Sequence, residues 1–168
     1  MDRTGTALAW HPNVCKIYQP VLLRGNDLKD QIIIRGAETA DLDSVFQLTL
    51  PFVESKQLLF RSKAEIKLLI PSGFSAVNQN SQIVGFAAVE IYSAKLGEIL
   101  CLAVSGECQG QGVGKRLVQQ CVQYANEKGV KELMAISSSE HFLKNCGFDY
   151  TLPDQKRALF INPTHLPE

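Results

Sequence analysis

Gln109-Gly110-Gln111-Gly112-Val113-Gly114, followed by Lys115 and Arg116, is the run whose residue types and spacing are most able to do chemistry. Glycines at alternate positions remove the Cβ atoms that would hold a ligand off the backbone. Their N–H groups, at the positive end of a helix, suit a phosphate. A tight strand-to-helix turn needing glycine only for its dihedrals would read the same way, so spacing has to discriminate. A Walker A loop requires Gly, four residues, then Gly-Lys and a hydroxyl residue. Counting from Gly114-Lys115 finds Gln109 in place of the first glycine and Arg116 in place of the hydroxyl. The dinucleotide fingerprint G-x-G-x-x-G begins at Gly110 and Gly112 but reaches Lys115. Both patterns fail, and Gln/Arg-x-x-Gly-x-Gly/Ala is met by Gln109, Gly112 and Gly114.

Just upstream, Glu98 opens the apolar run Ile99-Leu100-Cys101-Leu102-Ala103-Val104. Strict alternation along a strand predicts Glu98, Leu100, Leu102 and Val104 on one face. An acidic group there is costly unless it is exposed or employed, which makes Glu98 a candidate general base. The plainer alternative is a strand-end carboxylate in water, and Glu90 on the preceding strand is the substitute candidate. Cysteines at 15, 101, 108, 121 and 146 form no C-x-x-C pair, so reduced thiols and a cytoplasmic setting are expected. Cys101 and Cys108 invite an acyl-cysteine step, but no histidine stands near them in sequence to activate a thiol. His11, His141 and His165 are scattered singly, and no metal is expected.

These residues need a frame, and 168 residues are enough for one domain with a short appendage. Basic and acidic residues number 17 each, and they also balance on either side of Val104. No bulk charge points to a nucleic-acid partner. The apolar run Ile99–Val104 is far shorter than the roughly 20 residues of a membrane span, and no secretory signal is visible.

Residues 1–30 lack periodicity and read as an N-terminal extension, with Val21–Leu23 as an added edge strand. The domain proper is expected over 31–168. Ile32–Ile34 predicts a short strand. Thr39 is a candidate N-cap for a helix carrying Leu42, Val45, Phe46 and Thr49, which Pro51 should kink or end. Ser62 should cap a second helix reaching Ile70, closed by Pro71 and Gly73. Phe74–Val77 and Ile83–Tyr92 form a hairpin around Gln79-Asn80-Ser81, and Leu96–Val104 is the next strand. Val113, Leu117, Cys121 and Ala125 make one helical stripe stopped by Gly129. Leu133–Ile136 follows as a strand parallel to Leu96–Val104. Glu140–Cys146 is a short helix ended by Gly147, and Ala158–Ile161 a last strand. The fold class is α/β: a mixed, mostly antiparallel sheet with a parallel strand–helix–strand centre, flanked by helices.

Strand and loop together, Glu98–Val104 and Gln109–Gly114, resemble the acetyl-CoA motif of the GNAT N-acetyltransferase superfamily, and the resemblance extends over about Gln31 to Ile161 in that family's element order. Within it, Gly97-Glu98, Cys101–Val104, Gly110-Gln111-Gly112 and Phe142–Phe148 look most like the acetyltransferase domain of bacterial N-acetylglutamate synthases. Two features depart from that domain's setting. Only some thirty residues precede the first GNAT-like strand, so the kinase-like domain of those synthases is not expected ahead of it, and their Thr-Thr-Arg segment reads Ile136-Ser137-Ser138 here.

The resemblance implies an acetyl-CoA-dependent N-acetyltransferase in which an unprotonated amine attacks the thioester directly. It assigns cofactor contacts to the backbone of Leu102, Ala103 and Val104, to Gln109, Gly110, Gln111, Gly112, Val113 and Gly114, and to Lys115 and Asn145. Glu98 matches the glutamate that serves as base in several GNAT families. Arg61, after Leu58-Leu59-Phe60, matches a basic residue near the substrate, where its guanidinium fork would suit a carboxylate. A solvated charge at a helix start is the simpler account of Arg61. The tyrosine acid usual in the family is missing, because Phe142 is followed by Leu143. Ser137, Ser138 or Ser139 could donate instead, or merely cap a helix. Expected partners are a small amine or amino-acid acceptor, with no nucleic acid or membrane, and a homodimer is an open arrangement. The missing tyrosine also motivates a second reading, a non-catalytic acyl-CoA-binding sensor or interaction domain on the same fold.

Overall fold

The computed structural model describes residues 32–137 and 139–150. The extension at 1–30 with its expected edge strand, Ser138 and the expected strand Ala158–Ile161 lie outside them.

The described residues form a five-stranded sheet in sequential order: β1 (Ile33–Gly36), β2 (Gly73–Val77), β3 (Ile83–Ile91), β4 (Leu96–Val104) and β5 (Glu132–Ala135). β1 to β4 pair antiparallel, whereas β4 and β5 run parallel. Helix α3 (Val113–Glu127) supplies the crossover between those two. Its buried stripe, Val113, Leu117, Val118, Cys121 and Ala125, packs on Ala87, Val89 and Ile99 of the sheet. Lys128 caps its end and Gly129 leaves it at φ +72°, as the glycine stop predicts. The opposite face of the sheet, with Phe86, Ala88 and Leu100, is covered by Val45 of α1 (Leu42–Glu54) and by Ile66 and Leu69 of α2 (Lys63–Leu69). Removing this apolar surface from water on both faces is what holds the layers together.

Two local expectations need correction. Thr39 does not cap α1. A 3-10 turn, Thr39–Asp41, precedes the helix, and its capping box is made by Glu38 and Asp41. Asp41 has a tertiary duty that a sequence window does not reveal. Its carboxylate takes a two-pronged hydrogen bond from Arg35 of β1 (2.7 and 2.8 Å), one from the Glu38 N–H (2.9 Å) and one from the Ser75 hydroxyl of β2 (3.0 Å). Burial alone would raise the Asp41 pKa, but these donors outweigh it and hold the carboxyl below its ordinary range.

Pro51, expected to kink or end α1, sits inside it, and the helix runs on to Glu54. The bond Pro51 cannot donate would go to the Gln47 carbonyl, and both residues are on the exposed side of the helix, where water can satisfy that oxygen. The second helix follows its expectation: the Ser62 hydroxyl accepts from the Glu65 N–H, and the Glu65 carboxylate accepts from the Ser62 N–H at 2.7 Å.

Candidate active site

Strand β4 is not uniform along its length. Its first half is paired on both edges: Glu98 lies opposite Glu90 of β3 and Met134 of β5. Pairing with β5 stops at Ile99 and Ala135. Beyond it, Leu100 is aligned with Ala88 but Ala103 with Phe86, so one extra residue sits in β4. That residue is accommodated at Cys101, whose φ of +55° is left-handed, a conformation costly for a residue with a Cβ.

The bulge overturns the alternation expected for this strand. Leu100 and Cys101 both belong to the α1/α2 side, whereas Leu102 and Val104 pack toward α3. Glu98 therefore shares its face with Leu100, not with Leu102 and Val104. One residue of slip exchanges the faces of everything after it.

Where β4 and β5 part, a cleft of about 380 Å³ opens, lined by Cys101, Leu102 and Val104 from β4, Gln109, Gly110 and Gly114 from the loop and α3, and Ser137, Ser139 and Phe142 beyond β5. The far wall is formed by Phe52 of α1 and by Gln57 and Leu58 just beyond its end, to which sequence reasoning gave no role. Nothing in their spacing marked them, because it is the packing of α1 on the sheet that brings them there.

The glycine loop has the form its spacing suggested. Gly110 (φ +76°) and Gly112 (φ +79°) are left-handed, and a Cβ at either would meet no atom within 4 Å. Backbone dihedrals thus require glycine there, while the space beside them stays open to a ligand. Gly112 is the N-cap of α3 and offers no side chain to the first-turn N–H groups. Gly114 differs: its added Cβ would lie 3.2 Å from the Phe142 ring, so this glycine is where α4 (Glu140–Asn145) seats against α3. The Gln109 side chain braces the turn by donating to the Val104 carbonyl (3.0 Å), and Gln111 donates to the Glu107 carbonyl (2.9 Å). Val113 is buried, Lys115 is exposed near Cys146, and Asn145 is exposed at the end of α4, apart from the residues lining the cleft. A pair of left-handed glycines, an uncapped helix start and an open cleft beside them fit a pyrophosphate with an extended thiol arm.

Glu98 is only 9% exposed. Its carboxylate accepts a 2.5 Å hydrogen bond from the Tyr92 hydroxyl, a partner that sequence reasoning missed. The hairpin register held the signal: with Glu90 opposite Glu98 and Ile91 opposite Gly97, a tyrosine two residues beyond Glu90 falls diagonally across from Glu98. That hydrogen bond, burial and the Glu98 and Glu90 charges all push the Tyr92 phenol above its ordinary range, so it stays protonated as a donor. Arg61, half-buried at the entrance to α2, brings its guanidinium within reach of the Cys101 thiol. Burial raises the Cys101 pKa despite that cation, which keeps the sulfur a thiol. The Ser137 hydroxyl accepts the Ser139 N–H at 3.0 Å, a local turn contact ahead of α4, whose start carries no side-chain cap.

The cleft and its glycine-built helix start lie where the acetyl-CoA motif was expected. The acetyltransferase (GNAT) family profile matches residues 40–148, and the chain belongs to that family. It is 30% identical to an uncharacterized N-acetyltransferase of Chlorobaculum tepidum over 68% of this chain and 74% of that protein. It is 34% identical to the amino-acid acetyltransferase of Neisseria meningitidis over 64% of this chain and 25% of that one. The structure of N-acetylglutamate synthase from Neisseria gonorrhoeae, solved with coenzyme A and N-acetyl-glutamate, superposes with a TM-score of 0.64 at 29% identity, over 68% of this chain and 27% of that one. The chain thus spans about a quarter of those longer enzymes. It is an N-acetyltransferase by class, and the acyl donor of that class is acetyl-CoA. Among the described residues no helix is long and apolar enough to cross a membrane.

Proposed function

We propose that the protein acetylates the amine of a small acceptor, with an amino acid the favoured kind, by direct attack in a ternary complex. The observation that carries this reading is the parting of β4 from β5 just after Ile99, between the buried Glu98 and the left-handed glycines Gly110 and Gly112. Bound acetyl-CoA supplies an activated thioester carbonyl. The N–H groups from Gln109 to Gly114 hold its phosphates, with Lys115 adding positive charge at the rim. The edge of β4 from Leu102 to Val104, released from β5, offers backbone donors to the pantetheine arm. One such N–H directed at the thioester oxygen contributes about 3 kcal/mol in the transition state.

Glu98 removes the ammonium proton of the acceptor, directly or through a water. Arg61 receives an acceptor carboxylate, a role supported by its half-buried position facing the bulge. Because the Cys101 thiol is held neutral, the direct route is favoured over an acyl-cysteine. The departing thiolate has a reference pKa near 8.5, so the tyrosine that this chain lacks after Phe142 is dispensable. Ser137 and Ser139, which line the cleft, are the hydroxyls available to donate.

The deciding experiment measures acetyl-CoA binding by calorimetry and CoA release across a panel of amines and amino acids. Binding at micromolar to millimolar concentration, with turnover on amino acids, is the expected result. Absence of binding ends the reading. Binding without turnover on any acceptor, unchanged in Glu98→Gln, points instead to a sensor domain.

A further inference from the structure

The hairpin between β3 and β4 places three oxygen-bearing side chains together: Glu90 and Glu98 in direct cross-strand register, and Tyr92 beyond the end of β3 with its hydroxyl on the Glu98 carboxylate. Two carboxylates facing each other repel, so neither holds the other in place. A donor fixed on one of them gives that carboxylate a preferred orientation. We propose that Tyr92 is a positioning residue of this site, its hydroxyl holding the Glu98 carboxylate in one orientation opposite Glu90.

The assignment rests on Glu98 being the base and deepens that role. The phenol is suited to the task because it cannot itself take the proton: the carboxylates around it keep it protonated. The aromatic body of Tyr92 is half exposed, while the hydroxyl reaches inward to a carboxylate that is almost wholly buried. The contact is therefore not one that packing of the ring would enforce. The hairpin closes behind it through the Tyr92 N–H to Leu96 carbonyl bond at 3.0 Å, which fixes the tyrosine relative to the strand that carries Glu98. Other ionisable groups on this side of the sheet are Cys101 on β4, Arg61 and Glu65 at the start of α2, and Arg35 of β1 with Asp41, which bind each other. Arg61 acts on Cys101 and on Glu65, and the only hydroxyl donor assigned to Glu98 among the described residues is Tyr92.

The test combines crystal structures of wild type and Tyr92→Phe with CoA release using acetyl-CoA and L-glutamate, and with acetyl-CoA binding by calorimetry. In Tyr92→Phe the Glu98 carboxylate should lose its single orientation, and kcat should fall about tenfold while the acceptor KM and the acetyl-CoA affinity stay within about twofold. On the Glu98→Gln background Tyr92→Phe should cost nothing further, because a residue that acts only through Glu98 has nothing left to position. An unchanged Glu98 orientation in Tyr92→Phe overturns the assignment, as does a rate loss that persists in full on the Glu98→Gln background or an undiminished kcat beside an impaired Glu98→Gln. If Glu98 loses its orientation in Tyr92→Phe while Glu98→Gln keeps full turnover, it is the base role that fails, and Tyr92 positions a carboxylate with no part in the chemistry.

Discussion

The two halves of β4 share one strand and have opposite properties. From Leu96 to Ile99 it is hydrogen-bonded to β3 on one edge and β5 on the other, and the carboxylate it carries is buried and gripped by Tyr92. From Cys101 to Val104 it keeps β3 but has lost β5, and a cleft fills the gap. A single left-handed residue, Cys101, separates them. The paired half can hold a side chain to a fixed orientation, and the parted half can offer backbone groups to something that is not protein. An acetyl transfer needs both, because a base must be positioned and an extended thioester must find hydrogen-bonding groups with no strand already in place.

This division predicts that substitutions on the two halves fail differently. The largest effect is expected from Glu98→Gln, which should lower turnover near neutral pH by about 10²- to 10³-fold and leave acetyl-CoA affinity nearly unchanged by calorimetry. A comparable loss of affinity would mean the halves are not separable.

Next in size, Asp41→Asn removes the anchor that ties β1, β2 and the start of α1 behind the site. With Arg35 partly exposed, the expected cost is about 2–3 kcal/mol, read as a lower denaturation midpoint in urea with little change in affinity of the folded protein for CoA. The pH dependence has a defined sign. Asp41 is depressed in the folded protein, so its contribution is complete above the unfolded carboxyl pKa of about 3.9 and disappears as pH falls through the lower folded value. Acid unfolding of Asp41→Asn should therefore be less steep than that of wild type below about pH 4.

Gly112→Val tests the parted half. A β-branched residue at φ +79° is strained although the space beside it is empty, so the turn should relax away from its cradle shape. The expectation is about a tenfold weaker acetyl-CoA affinity, near 1.4 kcal/mol, with kcat at saturating acetyl-CoA retained. The smallest effect should come from Ser62→Ala, which uncaps α2 beside Arg61 for about 1 kcal/mol. Its kinetic signature should be a raised KM for the acceptor with kcat retained, a split that would tie Arg61 to acceptor binding.

Much of the fold was legible because its signals are local. Leu96–Val104 is β4 to the residue, the Val113, Leu117, Cys121 and Ala125 stripe is the buried face of α3, and Ser62 with Glu65 announces α2. The glycine loop was legible for the same reason, since Gly110 and Gly112 answer to their own dihedrals. The errors fall where a residue answers to a distant partner. Thr39 loses the cap because Asp41 is recruited by Arg35 and Ser75. Pro51 is tolerated because its orphaned carbonyl can reach water.

The sequence by itself determined the element order, the phosphate-ready turn and the candidate base, because periodicity, glycine spacing and a lone acid in an apolar strand are properties of neighbours along the chain. Only the tertiary structure decided which face Glu98 occupies, that Tyr92 holds it, and that Phe52, Gln57 and Leu58 wall the cleft. The physical reason is register. An alternating pattern states that two faces exist, but where a bulge falls, and so which residues cross from one face to the other, is settled by pairing between strands.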